Sequence, residues 1–345
     1  MIVIGTDPHK SKHVFVAVEA RSGEYLTELE IEVSDTGFRR LEGWIEELKG
    51  KRVFAIEDCR QVSGSLERFL LKRSERIARV APKHMANSRR TLSERGKSDP
   101  IDALAVARAA LREGIENLPP ARLDPQAEEI KLLVDHRDDL VQERTRIQNR
   151  LRWHIHDLWP GFEIPLGNLD RSKGLERLAR KLNRAPKKAR VRVCLQQVRR
   201  LRAISREESQ LENEIRPLVQ TRAPELLELP GCGVLTAAKL IGETSGAKFA
   251  SEAKFARMAG LAPIPASSGK TERFRLDRGG NRQLNCAIHR IAVTQGRYFE
   301  PARIYLAKKQ AEGKSRKEAI RCLKRQLVRP VLRCLNCYSE AMEAA

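Results

Sequence analysis

Aromatic side chains are scarce in this chain, with Phe, Trp and Tyr making up 5% of 345 residues. So few rings argue against reading nucleic acid mainly by base stacking, and leave backbone charge as the means of holding any polyanion. Acid is also in short supply: forty-five Asp and Glu face sixty-six Lys and Arg, for a formal charge of +21. Long apolar runs are missing, and none approaches the roughly 20 residues of a membrane span. The N-terminus shows no basic, then apolar, then small-residue leader, so the chain is expected to be cytoplasmic, mature from Met1 and nucleoid-associated when bound to DNA. Disulfide spacing is absent too. Seven cysteines, an odd number, suit reduced thiols. Cys334 and Cys337 form a lone Cys-x-x-Cys with no second pair beside it, a weak case for zinc. No internal repeat or low-complexity segment is evident.

What is present is clustered positive charge and an apolar content of 41%, too high for a disordered chain and enough for two or three domains. From Lys187 to Arg206 there are eight basic residues and no acidic one. From Pro301 onward there are eleven basic and four acidic. Clustering of this kind points to a nucleic-acid partner.

Against that background four carboxylates stand out. Asp7 follows the apolar run Ile2-Val3-Ile4-Gly5-Thr6, and Glu57 ends Val53-Phe54-Ala55-Ile56. Both runs read as buried strands, which places each acid at a strand tip. Asp99 and Asp102 are three apart at the start of a helical stretch and so share a face. Converging acids in a basic protein suit a divalent ion, Mg²⁺, held against a phosphodiester. His9, beside Asp7, is a weaker candidate for ligand or general base, since a histidine at a strand end is usually neither.

The element pattern predicts an α/β plus all-α protein. Residues 1–118 read as three meandering strands followed by alternating helices and strands, a ribonuclease-H-like domain. Residues 119–223 read as a linker and a long antiparallel helical, coiled-coil arm. Its helices span Ala127–Leu158 and Ala189–Arg222, with a Pro/Gly-rich excursion between them. Arg137 and Arg144 interrupt the first helix's apolar stripe. His154 and His156, near Trp153 and Trp159, are expected to belong to the packed arm rather than to contact RNA bases. Residues 224–345 read as a helical domain opened by a helix-hairpin-helix at Pro230-Gly231-Cys232-Gly233. There Gly231 and Gly233 would let backbone N–H groups approach phosphate.

Gly5-Thr6-Asp7-x-x-Lys10, Ile56-Glu57 and Lys97-Ser98-Asp99-x-x-Asp102-Ala103 resemble the DEDD signature of transposases with a Holliday-junction-resolvase-like domain. Gly260-Leu261-Ala262-Pro263, Ser268-Gly269, Gly280-Asn281 and Leu284 resemble the C-terminal domain of the same enzymes. These are transposases of the insertion-sequence "one-ten" family, bridge-RNA-guided recombinases, and the resemblance covers effectively the whole chain. It implies that the four acids bind Mg²⁺ and that Ser268, with Ser267 as the near alternative, attacks DNA to form a phosphoserine. It further implies a structured non-coding guide RNA, donor and target double-stranded DNA, and a homo-oligomer from dimer to tetramer. Lys270, Arg273, Arg275, Arg278 and Arg282 surround the serine with positive charge, while Lys187, Lys188, Arg199 and Arg200 are the arm's candidate phosphate contacts. Asp58-Cys59-Arg60 departs from the small residue and glycine that often follow the family's Glu, and makes Asp58 a competing ligand. Two other readings stay open: a metal-dependent junction-resolving nuclease using water, and a non-catalytic nucleic-acid-binding protein.

Overall fold

Strands buried on both faces organise the N-terminal region. Strands β1 (Ile2–Pro8), β2 (Lys12–Glu19), β3 (Tyr25–Glu32), β4 (Arg52–Glu57) and β5 (Arg76–Val80) form one sheet of order β3-β2-β1-β4-β5. β1 runs antiparallel to β2, and β2 to β3, whereas β1, β4 and β5 are parallel. A meander followed by parallel crossover strands is the arrangement expected of a ribonuclease-H-like domain. The structure is a computed structural model and describes residues 1–57, 60–80, 98–118, 120–121, 124–165, 167–244, 249, 251–266, 274–275, 277 and 279–343.

Alternate residues of the inner strands feed two cores. Ile4, Phe15, Ala17, Phe54 and Ile56 pack on α1 (Asp35–Glu47) and α2 (Arg60–Lys72) through Leu41, Trp44, Leu66 and Leu70. Each fully buried side chain of that size contributes about 1.5–3 kcal/mol. On the other face Val3, Val14, Val16, Ala55 and Val80 meet α3 (Asp99–Glu113). The buried side of α3 is almost all alanine: Ala103, Ala105, Ala107, Ala109 and Ala110. Gly5 completes that close approach. A Cβ there would lie 2.0 Å from the Ala103 carbonyl oxygen and 2.6 Å from the Ala107 nitrogen. Small residues on both surfaces let the helix lie directly on β1.

Two compact units make up the molecule: Met1–Pro125 with Thr244–Gly280, and Gln126–Glu243 with Asn281–Ala345. The second part of the first unit holds α9 (Glu252–Met258) and a short antiparallel ladder of β6 (Ile264–Pro265) on β7 (Phe274–Arg275). Gly260 and Gly280 touch at the base of this ladder, where a Cβ on Gly280 would lie 2.2 Å from the Gly260 nitrogen. Gly260 also takes φ +63, a conformation natural only to glycine.

The second unit is helical. α4 (Pro125–Leu158) and α6 (Ala189–Arg222) run antiparallel, as their ion pairs show. Asp157 meets Arg190 at 3.1 Å, Glu143 meets Arg200 at 2.8 Å, Arg144 meets Glu208 at 2.7 Å and Arg137 meets Glu212 at 4.0 Å. Arg144, which interrupts the apolar stripe, thus answers a buried carboxylate, a device that fixes helix register. The excursion between the two helices contains a helix that the sequence reading passed over, α5 (Ser172–Asn183). Its Leu175, Leu178 and Leu182 join Leu151, Ile155, Val191, Cys194 and Val198 in one core.

Beyond α6 come α7 (Pro224–Glu228), α8 (Val234–Thr244), α10 (Arg282–Tyr298), α11 (Glu300–Ala311) and α12 (Arg316–Glu343). Lys239 on α8 is buried and donates to Asp135 and Asp138, each at 2.7 Å. The unit's chain leaves after Glu243 and returns at Asn281. These two residues are joined, since Asn281 Nδ2 donates to Glu243 Oε2 at 2.6 Å. Asn281 also caps α10 by accepting from the Gln283 and Leu284 nitrogens, and Lys131 holds Glu243. Among the described residues no helix is long and apolar enough to cross a membrane.

Candidate active site

The alternation of β1 and β4 places their acids. Asp7 and Glu57 point to the face that α3 covers, the same face as Val3, Gly5 and Ala55. Thr6 pairs with Ile56 in the parallel ladder, so Asp7 and Glu57 come next on neighbouring strands. α3 begins at this edge. Asp99 and Asp102 lie in its first turn, where the helix dipole favours negative charge. Asp102 is buried, and the Gly5–Ala103 contact carries it to the end of β1.

Electrostatics confirm that three of the acids share one neighbourhood. The Asp7 carboxyl is held above its ordinary range, chiefly by burial. Charges on Asp102 and Asp99 push the same way and His9 pulls against them, so burial decides the direction. His9 Nε2 lies 3.1 Å from Asp7 Oδ2 and 3.6 Å from Asp99 Oδ1. Lys12 Nζ lies 2.8 Å from Asp99 Oδ2 and 3.0 Å from Glu30. One potential ligand atom from each of Asp7, His9 and Asp99 falls within 4.8 Å of the others. Oxygen and imidazole donors at that spacing fit a divalent cation, which would relieve the crowding of negative charge.

The sequence reading discounted His9 and passed over Lys12. The signal was a turn. His9 and Lys12 flank Lys10-Ser11 between β1 and β2, closed by a hydrogen bond from the His9 nitrogen to the Lys12 carbonyl at 2.9 Å. His13, two residues into the site's neighbouring face, is fully buried against Phe15 and Phe38.

Ser267, Ser268, Lys270, Arg273, Arg278 and Asp58 lie outside the described residues. Arg275 is exposed on β7 and Arg282 is exposed in the first turn of α10. Lys187, Lys188 and Arg199 are exposed, whereas Arg200 is committed to Glu143 and, at 3.4 Å, to Glu207. His156 stacks edge-on against Trp153, whose side is open to solvent. Trp159 and Phe162 instead hold the Lys181 ammonium, 4.6 and 4.3 Å from their rings.

The two glycines of the Pro-Gly-x-Gly turn differ. Gly231 has φ +84 and packs on α10, where a Cβ would meet the Ile291 carbonyl at 3.1 Å. Gln295 also donates to the Pro230 carbonyl at 2.7 Å. Gly233 faces open space at the start of α8. Nearby, burial first and Cys334 second push the Cys232 thiol up to about 12, so it is no nucleophile.

Residues 4–160 match a family model of IS110 DEDD transposases, described as "Transposase", and residues 223–307 match one described as "Transposase IS116/IS110/IS902 family". The chain belongs to this transposase family. The transposase is 26% identical to the "Insertion element IS116 uncharacterized 44.8 kDa protein" of Streptomyces clavuligerus, over 95% of this chain and 92% of that one. To the "Insertion element IS110 uncharacterized 43.6 kDa protein" of Streptomyces coelicolor it is 29% identical, over 67% and 69%. A similar protein from Mycobacterium paratuberculosis, "Insertion element IS900 uncharacterized 42 kDa protein", is 26% identical over 80% and 81%. Among solved structures, "T. thermophilus RuvC in complex with Holliday junction substrate" aligns with 33% of the transposase and 97% of its own chain, at 14% identity and a TM-score of 0.27. The transposase is a DNA-recombining enzyme.

Proposed function

We propose that this transposase excises and inserts its own element by serine attack on DNA, guided by a structured RNA that pairs with donor and target. The observation that carries the reading is the convergence of Asp7 with Asp99 and Asp102 at the sheet edge, with Glu57 next to Asp7 on the neighbouring strand. Asp7, Glu57, Asp99 and Asp102 would hold Mg²⁺, which supplies charge stabilisation at the scissile phosphate. Ser268 is the proposed nucleophile. Its oxygen bonds to phosphorus as the bond from phosphorus to the departing strand's sugar oxygen breaks, which conserves the phosphodiester energy for rejoining.

In functional terms residues 1–118 form the catalytic domain, 119–223 the antiparallel, coiled-coil-like arm, and 224–345 the serine-bearing domain with its helix-hairpin-helix. Lys187, Lys188 and Arg199 would hold nucleic-acid backbone, joined by Gly233, Lys270, Arg273, Arg275, Arg278 and Arg282. Residues 146–206 support the arm's part, since seventeen of them are basic and four acidic. The enzyme would work in the cytoplasm on the nucleoid, as a dimer or tetramer.

A suicide DNA substrate tests the mechanism. The wild type should become covalently attached, Ser268→Ala should not, and Asp7→Asn should bind DNA without attaching. Cleavage by Ser268→Ala at the wild-type rate would replace the serine with water and make the protein a junction-resolving nuclease. Unchanged excision by Asp7→Asn would leave a non-catalytic binder.

A further inference from the structure

We propose that His9 is a direct ligand of the divalent ion at the Asp7–Asp99 cluster, giving the site a mixed nitrogen and oxygen donor set that favours Mn²⁺ over Mg²⁺. The inference rests on the reading that a metal is held there, and adds which residue completes its shell and which ion that shell selects.

Three observations carry it. Ligands about 2.1 Å from a common ion in octahedral geometry sit about 3 Å apart along each edge. His9 Nε2 stands 3.1 Å from Asp7 Oδ2 and 3.6 Å from Asp99 Oδ1, spacings that an ion could bridge with little movement. Lys12 takes the other oxygen of Asp99 at 2.8 Å, so Asp99 turns a single oxygen toward His9. The ring is delivered by a pinned backbone, because the His9 nitrogen is tied to the Lys12 carbonyl in the turn between β1 and β2.

The chemistry then selects the metal. Mg²⁺ takes oxygen almost exclusively and keeps several waters, and an imidazole adds little to its binding. Later divalent ions of the first row gain from imidazole, and Mn²⁺ is the member that still tolerates a carboxylate-rich octahedron. His9 would therefore raise Mn²⁺ affinity while leaving Mg²⁺ binding to the acids.

Pulsed electron paramagnetic resonance of the full chain with Mn²⁺ alone tests this. The wild type should show coupling to one histidine nitrogen, which changes on ¹⁵N-histidine labelling and disappears in His9→Gln. The His9 side chain is 44% accessible, so this variant should fold, which circular dichroism checks. Calorimetry should find Mn²⁺ bound at least about tenfold more weakly by His9→Gln, with Mg²⁺ affinity changed less than about threefold. Mn²⁺ bound in an Asp7-dependent way without nitrogen coupling would overturn His9 ligation and leave the metal site standing. Mn²⁺ affinity unaltered by Asp7→Asn would remove both. An equal loss of Mn²⁺ and Mg²⁺ in His9→Gln would reduce His9 to a hydrogen-bond partner of Asp7.

Discussion

Asp7 is buried and Asp135 half-exposed, and the protein treats these two acids in opposite ways. Burial pushes Asp135 up, but hydrogen bonds from Lys239 and Lys131 more than reverse this and hold it below the usual carboxylate range. Burial likewise pushes Asp7 up, and there what His9 returns does not overcome it, so the carboxyl stays above its ordinary range. Lys239 stays charged because its two acid partners overcome its own burial. In the helical unit charges are matched and serve packing. At the sheet edge acids are crowded, at a cost in stability, and a group that destabilises the fold it belongs to is usually kept for chemistry.

The most severe break of this comparison is Asp7→Asn. Excision should fall by at least about a thousandfold, as expected when metal-assisted charge stabilisation of several kcal/mol is lost. The thermal midpoint should hold or rise, because a crowded, desolvated charge has been removed. A midpoint that drops by more than a few degrees would mean that Asp7 is a structural acid like Asp135.

Gly5→Ala comes next. The added methyl runs into helix backbone, and such overpacking costs about 1–3 kcal/mol or more. Urea unfolding should show that loss, and metal affinity should fall with it because α3 carries Asp99 and Asp102. Lys239→Met should cost about 2 kcal/mol by stranding Asp138 and leaving Asp135 only Lys131, with no change in metal binding.

Acid sharpens the comparison within the sheet. Burial pushes the His13 ring down to about 4, against an ordinary value near 6.5. Between those values the unfolded chain binds the extra proton and the folded one does not. Stability is therefore full above pH 6.5 and is lost as pH falls toward 4, by up to about 3 kcal/mol. His13→Phe should flatten this limb of a stability–pH profile, and a profile that keeps its slope would place the acid sensitivity elsewhere.

The smallest effect should come from Lys324, the counterpart of Lys239 without an acid. It donates to the amide oxygen of Asn285, and burial lowers its pKa to about 8. Its folded form releases a proton near pH 8 and the unfolded form near pH 10.5, so stability should rise across that window. Lys324→Met should remove the rise and stabilise the protein at pH 7 by about 1–2 kcal/mol.

The strands, and the acids that close two of them, were legible because strands covered on both faces leave their signature as continuous apolar runs. The DEDD pattern added the helix that completes the edge. His9 and Lys12 were harder to see, since their roles depend on a turn that folds them back over β1. Gly5 and the alanines of α3 look unremarkable in sequence, and only their contact shows why those sizes are required. Helix α5 was hidden by the Pro and Gly around it, although Leu175, Leu178 and Leu182 carry the helical spacing. The serine stretch 267–273 was legible only through family resemblance.

The hydrogen bond between Asn281 and Glu243 has a consequence for how this protein can change over time. The chain departs from the helical unit and rejoins it at two residues in direct contact, so the host closes on itself whatever lies between them. The 37 residues from Thr244 to Gly280 belong instead to the other unit, with Met1–Pro125. Lengthening, trimming or exchanging that stretch leaves the cap of α10 and the Lys131 contact intact. Selection can thus rework that segment without reopening the helical unit.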